Sequence, residues 1–304
     1  GVAATEFAVT ASNTGNKFMG TFTTGSAAEL FDLRPLNKVT FDTSADTDAH
    51  VLITIDTQST SKKNYIALLN HNLVTAVGKI RIFAGDAASD VTAVDGANAD
   101  TADITWANDT VIEVVNGDTT TGNTTNTGVA TNGTWGSTDA FVGCVMIGEY
   151  FEMPHAPDLD LTRMISYNRL NDLQESHGGQ RFSNLKTIGR TATSTSKSPF
   201  TTASNQYDMY GGRIIYDMKY SFLSNTELMP DEYDIIADDD NFISDVWNKT
   251  NGNHLPFIFS IDKASEGDNA ESEHIFGRFA NNSLDMTQVA PEIYNISLTV
   301  EEEF

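Results

Sequence analysis

Short apolar runs and strict alternation dominate the chain, and helical spacing is nearly absent. Tyr65 to Leu69 is a continuous apolar run, which predicts a strand covered on both faces. Asn70-His71-Asn72 interrupts it, and after Gly78 the stretch Lys79-Ile80-Arg81-Ile82 alternates as a half-buried strand does. The spacing predicts two strands joined by a short polar turn in the middle of an antiparallel sandwich. Before them, Val39 and Phe41 alternate with Thr40 and Asp42, and Val51 to Ile55 forms another run. After them come short runs at Asp103 to Trp106 and Val111 to Val115, and Ala140 to Met153 closes a first unit. Asn116 to Thr138 is almost wholly Thr, Asn and Gly, a composition expected as a long exposed loop. Residues 1–30 are small and polar around scattered Phe7, Phe18 and Phe22. They are expected as an extended arm laid over a neighbour, with short edge strands as the alternative.

Pro154 and Pro157 mark the expected junction, because two prolines in a polar stretch stop a strand and stiffen a linker. Beyond it lies the cleanest alternation in the chain. Ile214, Tyr216, Met218, Tyr220 and Phe222 point one way; Arg213, Asp217, Lys219 and Ser221 point the other. One helix is predicted near 240–250, where Ile235, Phe242, Ile243, Val246 and Trp247 recur at helical spacing. Asp238-Asp239-Asp240 favours its N-terminus and Asn251-Gly252 stops it. Leu255, Phe257, Phe259 and Ile261 alternate again, Ile275 to Phe279 reads as a short strand, and Tyr294, Ile296, Leu298 and Val300 alternate to the end. The fold expected is mostly β, with two antiparallel sandwich-like domains, the second holding one short helix. The divisions are an arm over 1–30, a discoidin- or jelly-roll-like sandwich over 31–153 and a second β domain over 154–304.

The 304 residues suffice for two cores. Asp and Glu number 42 against 18 Lys and Arg, a formal charge of -24. Nucleic-acid affinity comes mostly from neutralising phosphates, so this sign argues against a nucleic-acid partner. The same charge keeps copies soluble and apart until salt screens it, and it suits a saline habitat. No apolar run approaches the roughly 18 residues that suggest a membrane span, and no signal-peptide pattern opens the chain. Gly1 in place of Met leads to the expectation of a trimmed N-terminus. Cys144, the single cysteine, excludes an intrachain disulfide and reads as a small core residue.

Candidate chemistry is sparse. His71 between two asparagines reads as turn chemistry rather than as a ligand-contacting residue. The carboxylates Asp231, Glu232, Asp234 and Asp238 to Asp240 lack the spaced D-x-D-x-D-G pattern of calcium and read as a solvated helix start. His50, His71, His155, His177, His254 and His274 show no zinc spacing. His177-Gly178-Gly179 resembles an oxyanion glycine run, but no nucleophile elbow accompanies it, so a turn is expected. The sequons at Asn108 and Asn248 follow from composition. Trp106 reads as a core residue, with sugar stacking as its alternative; Trp135 suits either place. No catalytic, cofactor-binding or metal-ligating residue is expected, and no enzyme activity.

Two groups of residues carry a family resemblance. In the first half it is the apolar strand ending in His71-Asn72-Leu73. In the second it is the order of a helix, His254-Leu255-Pro256-Phe257-Ile258-Phe259, Phe276-Gly277-Arg278-Phe279, and Tyr294-Asn295-Ile296-Ser297-Leu298 running into Glu301-Glu302. Over roughly residues 31 to 304 the chain resembles minor or distal tail proteins of tailed bacteriophages, which carry a discoidin-like sandwich. The resemblance implies a virion structural protein of the tail, tail tip or baseplate. Its partners would be copies of itself in a symmetric ring and other tail proteins, with no membrane contact. The rival readings are a carbohydrate-binding module that recognises a host-surface glycan, and a capsid or decoration protein.

Overall fold

Alternating β-branched and aromatic residues pair into sheets in the described residues of both units. The computed structural model describes residues 7–9, 17–18, 22–44, 49–56, 65–85, 109–116, 135–167, 173–183, 191–194, 207–210, 212–231, 240–262 and 273–303. The chain divides into two units, Gly1–Tyr150 and Phe151–Phe304.

The strands of the first unit are β1 (Phe7–Val9), β2 (Lys17–Phe18), β3 (Phe22–Thr24), β4 (Val39–Phe41), β5 (Ala49–Asp56), β6 (Tyr65–His71), β7 (Gly78–Gly85), β8 (Asp109–Asn116) and β9 (Phe141–Gly148). One sheet runs β3-β4-β9-β6; the other runs β1-β5-β8-β7, with β2 parallel to β5. Val39, Phe41, Val142 and Val145 from the first share a buried core with Val51 and Ile53 from the second, so the two sheets face each other as a sandwich. The stretch expected as an extended arm holds short strands in its described residues. β1 and β2 line the free edge of β5, β3 pairs β4, and Leu30 in the 3-10 turn Ala27–Phe31 is fully buried. The loop expected at 116–138 and the run at 103–106 lie outside the described residues, apart from Asn116 and 135–138.

β6 and β7 do not pair with each other. The one-turn helix α1 (Leu73–Ala76) carries the chain from one sheet to the other. β6 is an edge strand, half-buried from Tyr65 to Leu69, and Ile66 and Leu68 pack on the core. The strand buried on both faces is instead β9, where Val142 to Val145 are all buried. Its position between β4 and β6 explains this, together with the loop that crosses it: a Cβ added at Gly143 would collide with the Pro35 carbonyl. Burial also pushes the Cys144 thiol up to about 11, as befits an inert core residue.

The second unit contains β10 (Thr162–Ser166), β11 (Leu173–Glu175), β12 (Arg181–Ser183), β13 (Thr191–Ser194), β14 (Tyr207–Tyr210), β15 (Arg213–Ser224), β16 (Phe257–Ser260), β17 (His274–Phe279), β18 (Met286–Ala290) and β19 (Ile293–Glu302). Its main sheet is antiparallel in the order β10-β15-β19-β17-β16, with β18 added to β19. β11 with β12 and β13 with β14 form two separate ribbons. On β15, Ile214, Tyr216, Met218 and Tyr220 are buried opposite Val300, Leu298 and Ile296 of β19. The Tyr216 ring meets Phe259 at 5.3 Å, so the sheet curls until the inner faces of β15 and β16 touch. Phe151 and Met153, read from the sequence as the end of the first unit, pack on this second core.

The alternation fails at Phe222. The register shifts between Tyr220 and Leu223, Leu223 takes the buried position, and Phe222 is 74% exposed with a φ of 66°. Asn295 accepts its amide N–H at 3.0 Å. A bulge of this kind favours glycine, since a Cβ strains the left-handed region. Phe222→Gly is therefore expected to stabilise the second unit by about 0.5–1 kcal/mol, read as a raised denaturation midpoint at unchanged slope.

The predicted helix forms over Ile243–Asn248, with wide π turns, and places Phe242, Val246 and Trp247 on the sheet. Its first turn is capped by Asn241, whose Oδ1 accepts the Ser244 N–H at 2.9 Å, and of the aspartate run Asp238 and Asp239 lie outside the described residues. Asn251 and Gly252, both at positive φ, end it as expected, and the Gly252 amide reaches the Trp247 carbonyl at 2.8 Å. A second helical turn, α2 (Asn225–Leu228), starts with a capping box between Ser224 and Glu227.

Candidate functional site

Among the described residues, a cluster of exposed apolar side chains lies on and beside an outermost strand of the second sheet. β10 pairs β15 on one side, Arg163 opposite Tyr216 and Ile165 opposite Ile214, and no described strand pairs its other side. Its approach is fixed by two bonds: the Asp158 N–H donates to the Lys219 carbonyl at 2.8 Å, and the Ser221 hydroxyl donates to the Asp158 carboxylate at 2.6 Å. Leu161 packs on the core, whereas Leu159 is fully exposed, Ile165 is 61% exposed, and Met164 and Tyr167 are also exposed. The Arg163 guanidinium stands over the Tyr216 ring at 5.7 Å. Phe222, one residue beyond the Ser221–Asp158 bond, adds a further exposed apolar group. A free edge with apolar side chains is a template for another chain, and soluble proteins usually blunt such edges with charge or cover them.

The residues singled out from the sequence are scattered. His71 is exposed at the end of β6, and its neighbours do bond backbone groups, though distant ones. The Asn70 amide donates to the Pro35 carbonyl at 2.6 Å. Asn72 donates to the Asp139 carbonyl at 2.8 Å and accepts from the Phe141 N–H at 2.7 Å. The Asn72 bonds tie α1 to the start of β9, which a turn reading could not foresee. His177-Gly178-Gly179 is the turn of the β11–β12 ribbon, with Gly179 at a φ of 78°. Of the carboxylate cluster only Asp231 and Asp240 are described, and both are exposed. No group of three or more His, Cys, Asp or Glu that could hold a metal occurs among the described residues. Trp106 lies outside them. Trp135 is 2% exposed and belongs to the first core, so it offers no sugar-stacking face.

One acid missed from the sequence organises the end of the first sandwich. Asp139 accepts N–H bonds from Ser44 at 2.9 Å and Thr43 at 3.1 Å, and a hydroxyl bond from Thr23 at 3.2 Å. Desolvation pushes its pKa up, but these bonds to the charged form outweigh it and hold the pKa below the usual carboxylate value. Because the folded pKa is depressed, the contribution is present above the unfolded pKa and is lost as pH falls through the folded one. Asp139→Asn is expected to lower stability by about 1 kcal/mol at pH 7, a figure reduced for partial exposure. The gap from wild type should close by pH 2, as denaturant midpoints at both pH values will show.

No family model, curated protein or solved structure matches the chain. No helix among the described residues is long and apolar enough to cross a membrane.

Proposed function

We propose that this chain is a virion structural protein of a tailed phage, built into the tail, tail tip or baseplate, with no catalytic role. Its partners are copies of itself in a symmetric ring and other tail proteins. The observation that carries the assembly half of this reading is the exposed apolar edge at β10, with Leu159, Met164, Ile165 and Tyr167 open to solvent. The phage half rests on the resemblance of the two strand orders described above. The glycan-binding alternative loses its best aromatic with the burial of Trp135.

Mass photometry with negative-stain imaging, at low and at seawater-level salt, tests the assembly. Discrete rings should appear and grow as salt screens the charge of -24. A strict monomer in both conditions would count against self-assembly and turn attention to a glycan-binding screen. A capsid or decoration role predicts closed shells or binding to preformed shells in the same images.

A further inference from the structure

The end of β15 offers two apolar residues for one buried position. Tyr220 stands opposite Ile296 and Leu223 opposite Tyr294, so Ser221 and Phe222 together face the single residue Asn295. In a regular ladder Ser221 alone would face Asn295. Phe222 would then stand opposite Tyr294, on the buried face of Tyr220, and Leu223 opposite Ile293 on the outer face. We infer that this end of β15 is a register switch. It exchanges between the bulged register, which displays Phe222 and buries Leu223, and the regular one, which buries Phe222 and displays Leu223.

Neither register satisfies every group. The bulged one leaves the Phe222 ring in water and holds a non-glycine residue at a φ of 66°, and both are unfavourable. The regular one removes both, but it exposes Leu223 and fits a larger ring where leucine sat. Phenylalanine and leucine gain similar free energies on burial, so the hydrophobic terms nearly cancel. Register is firmly set where a polar residue alternates with an apolar one, as at Tyr220-Ser221; at Phe222-Leu223 both choices are apolar. Polar contacts decide in favour of the bulge. Asn295 Oδ1 accepts the Phe222 N–H, the Asn225 N–H donates to the Glu292 carbonyl at 2.9 Å, and Ser224 caps α2. A slip brings Ser224 opposite Glu292 and costs α2 its cap, yet a single turn has little stability of its own to lose. Across β19, Val289 is also an extra residue, between Gln288 opposite Tyr294 and Ala290 opposite Ile293. This stretch of β19 thus has an irregular ladder on each side, and a slip beyond Tyr220 leaves the rest of β15 in place. The switch gives the apolar cluster beside β10 an aromatic group or withdraws it, because Ser221 is bonded to Asp158 and Leu159 follows.

Fluorine NMR of the full-length protein, with 4-fluorophenylalanine placed at position 222 alone, tests this. Saturation-transfer spectra of the dilute protein should show an exposed resonance, with a large H2O/D2O shift, exchanging with a buried one in roughly 0.1–10% of molecules. Asn295→Ala removes the acceptor that holds the bulge and should raise the buried population about tenfold. Leu223→Ser makes the bulged register bury a hydroxyl, so the buried resonance should become the major one. Phe222→Ser should abolish the exchange contribution at the Tyr294 amide in nitrogen-15 relaxation dispersion. A single exposed resonance without exchange, in both wild type and Asn295→Ala, would overturn the switch even if Leu223→Ser did not fold. A folded Leu223→Ser protein that keeps position 222 exposed would overturn it as well, since the bulge would then be fixed by the backbone whatever side chain it buries.

Discussion

Trp135→Ala is expected to destabilise the first unit by about 3–5 kcal/mol, the usual range for truncating a large buried aromatic. Among the described residues, Trp135 is the largest side chain that is fully buried. Its ring lies against Gly78, a position that leaves it room. A Cβ at Gly78 would stand 2.9 Å from the ring, and Leu73 closes the same space. The next residue, Gly136, donates its N–H to the Ala76 carbonyl at 2.9 Å, which clamps the tryptophan to α1. Removing the indole therefore empties the space under the link that carries the chain between the two sheets. The surrounding backbone is held by those bonds and by the Asn72 bonds to residues 139 and 141, so it cannot collapse to refill the cavity. Equilibrium urea unfolding gives the measurement. A loss under about 1.5 kcal/mol would mean that the site relaxes and that α1 is not anchored by the ring. Gly78→Ala supplies an independent check, because its methyl would press on the same ring and should also destabilise.

Most of the strands were legible because period-two alternation needs no tertiary context. Val39 to Phe41, Ile214 to Tyr220 and Tyr294 to Val300 each bury the side that the pattern selects. The failures fall where a neighbour decides. An apolar run says that a strand is surrounded, but both β6 and β9 are apolar runs. Only the sheet order shows that β6 is the edge and β9 the centre. Phe222 continues the alternation in sequence, and a one-residue bulge turns it out to solvent. The α2 turn was legible and was missed: Ser224-Asn225-Thr226-Glu227 is a capping box, too short to register in helical spacing. β18 was missed for a different reason. Its side chains are mostly exposed, and an edge strand with little to bury leaves no alternation to find.

The candidate site was less legible than the fold. Leu161, Met164, Ile165 and Tyr167 look in sequence like any weak strand beside a core. Their meaning comes from β15 occupying one side of β10 and no described strand the other. Trp135 shows the converse. Flanked by Thr, Asn and Gly, it suited either a loop or the core in sequence, and its packing against Gly78 and Leu73 makes it core. Asp139 had no signal at all, because its donors come from residues 23, 43 and 44, about a hundred positions away.

Phe279→Ala is expected to have an equally large effect on the second unit, again about 3–5 kcal/mol. Phe279 is the common member of an aromatic cluster, with ring centroids 4.6 Å from Phe257, 5.4 Å from Trp247 and 6.2 Å from Phe242. Those partners come from β16 and from both ends of the helical segment, so a single side chain joins the helix to the sheet. A helix of six residues has almost no stability of its own and exists only through such packing. Loss of the ring removes the transfer energy of a buried phenyl and about 0.5–1.5 kcal/mol for each aromatic pair beyond its area. The helix should then loosen before the sheet does. Hydrogen exchange at the Thr250 and Gly252 amides, which bond the Val246 and Trp247 carbonyls at 2.9 and 2.8 Å, should accelerate more than exchange within β15 and β19. Phe279→Leu separates the two contributions, since it keeps most of the apolar volume and loses the ring contacts. It should fall between wild type and alanine. If the leucine variant matches wild type, volume alone holds the helix and the aromatic geometry adds nothing.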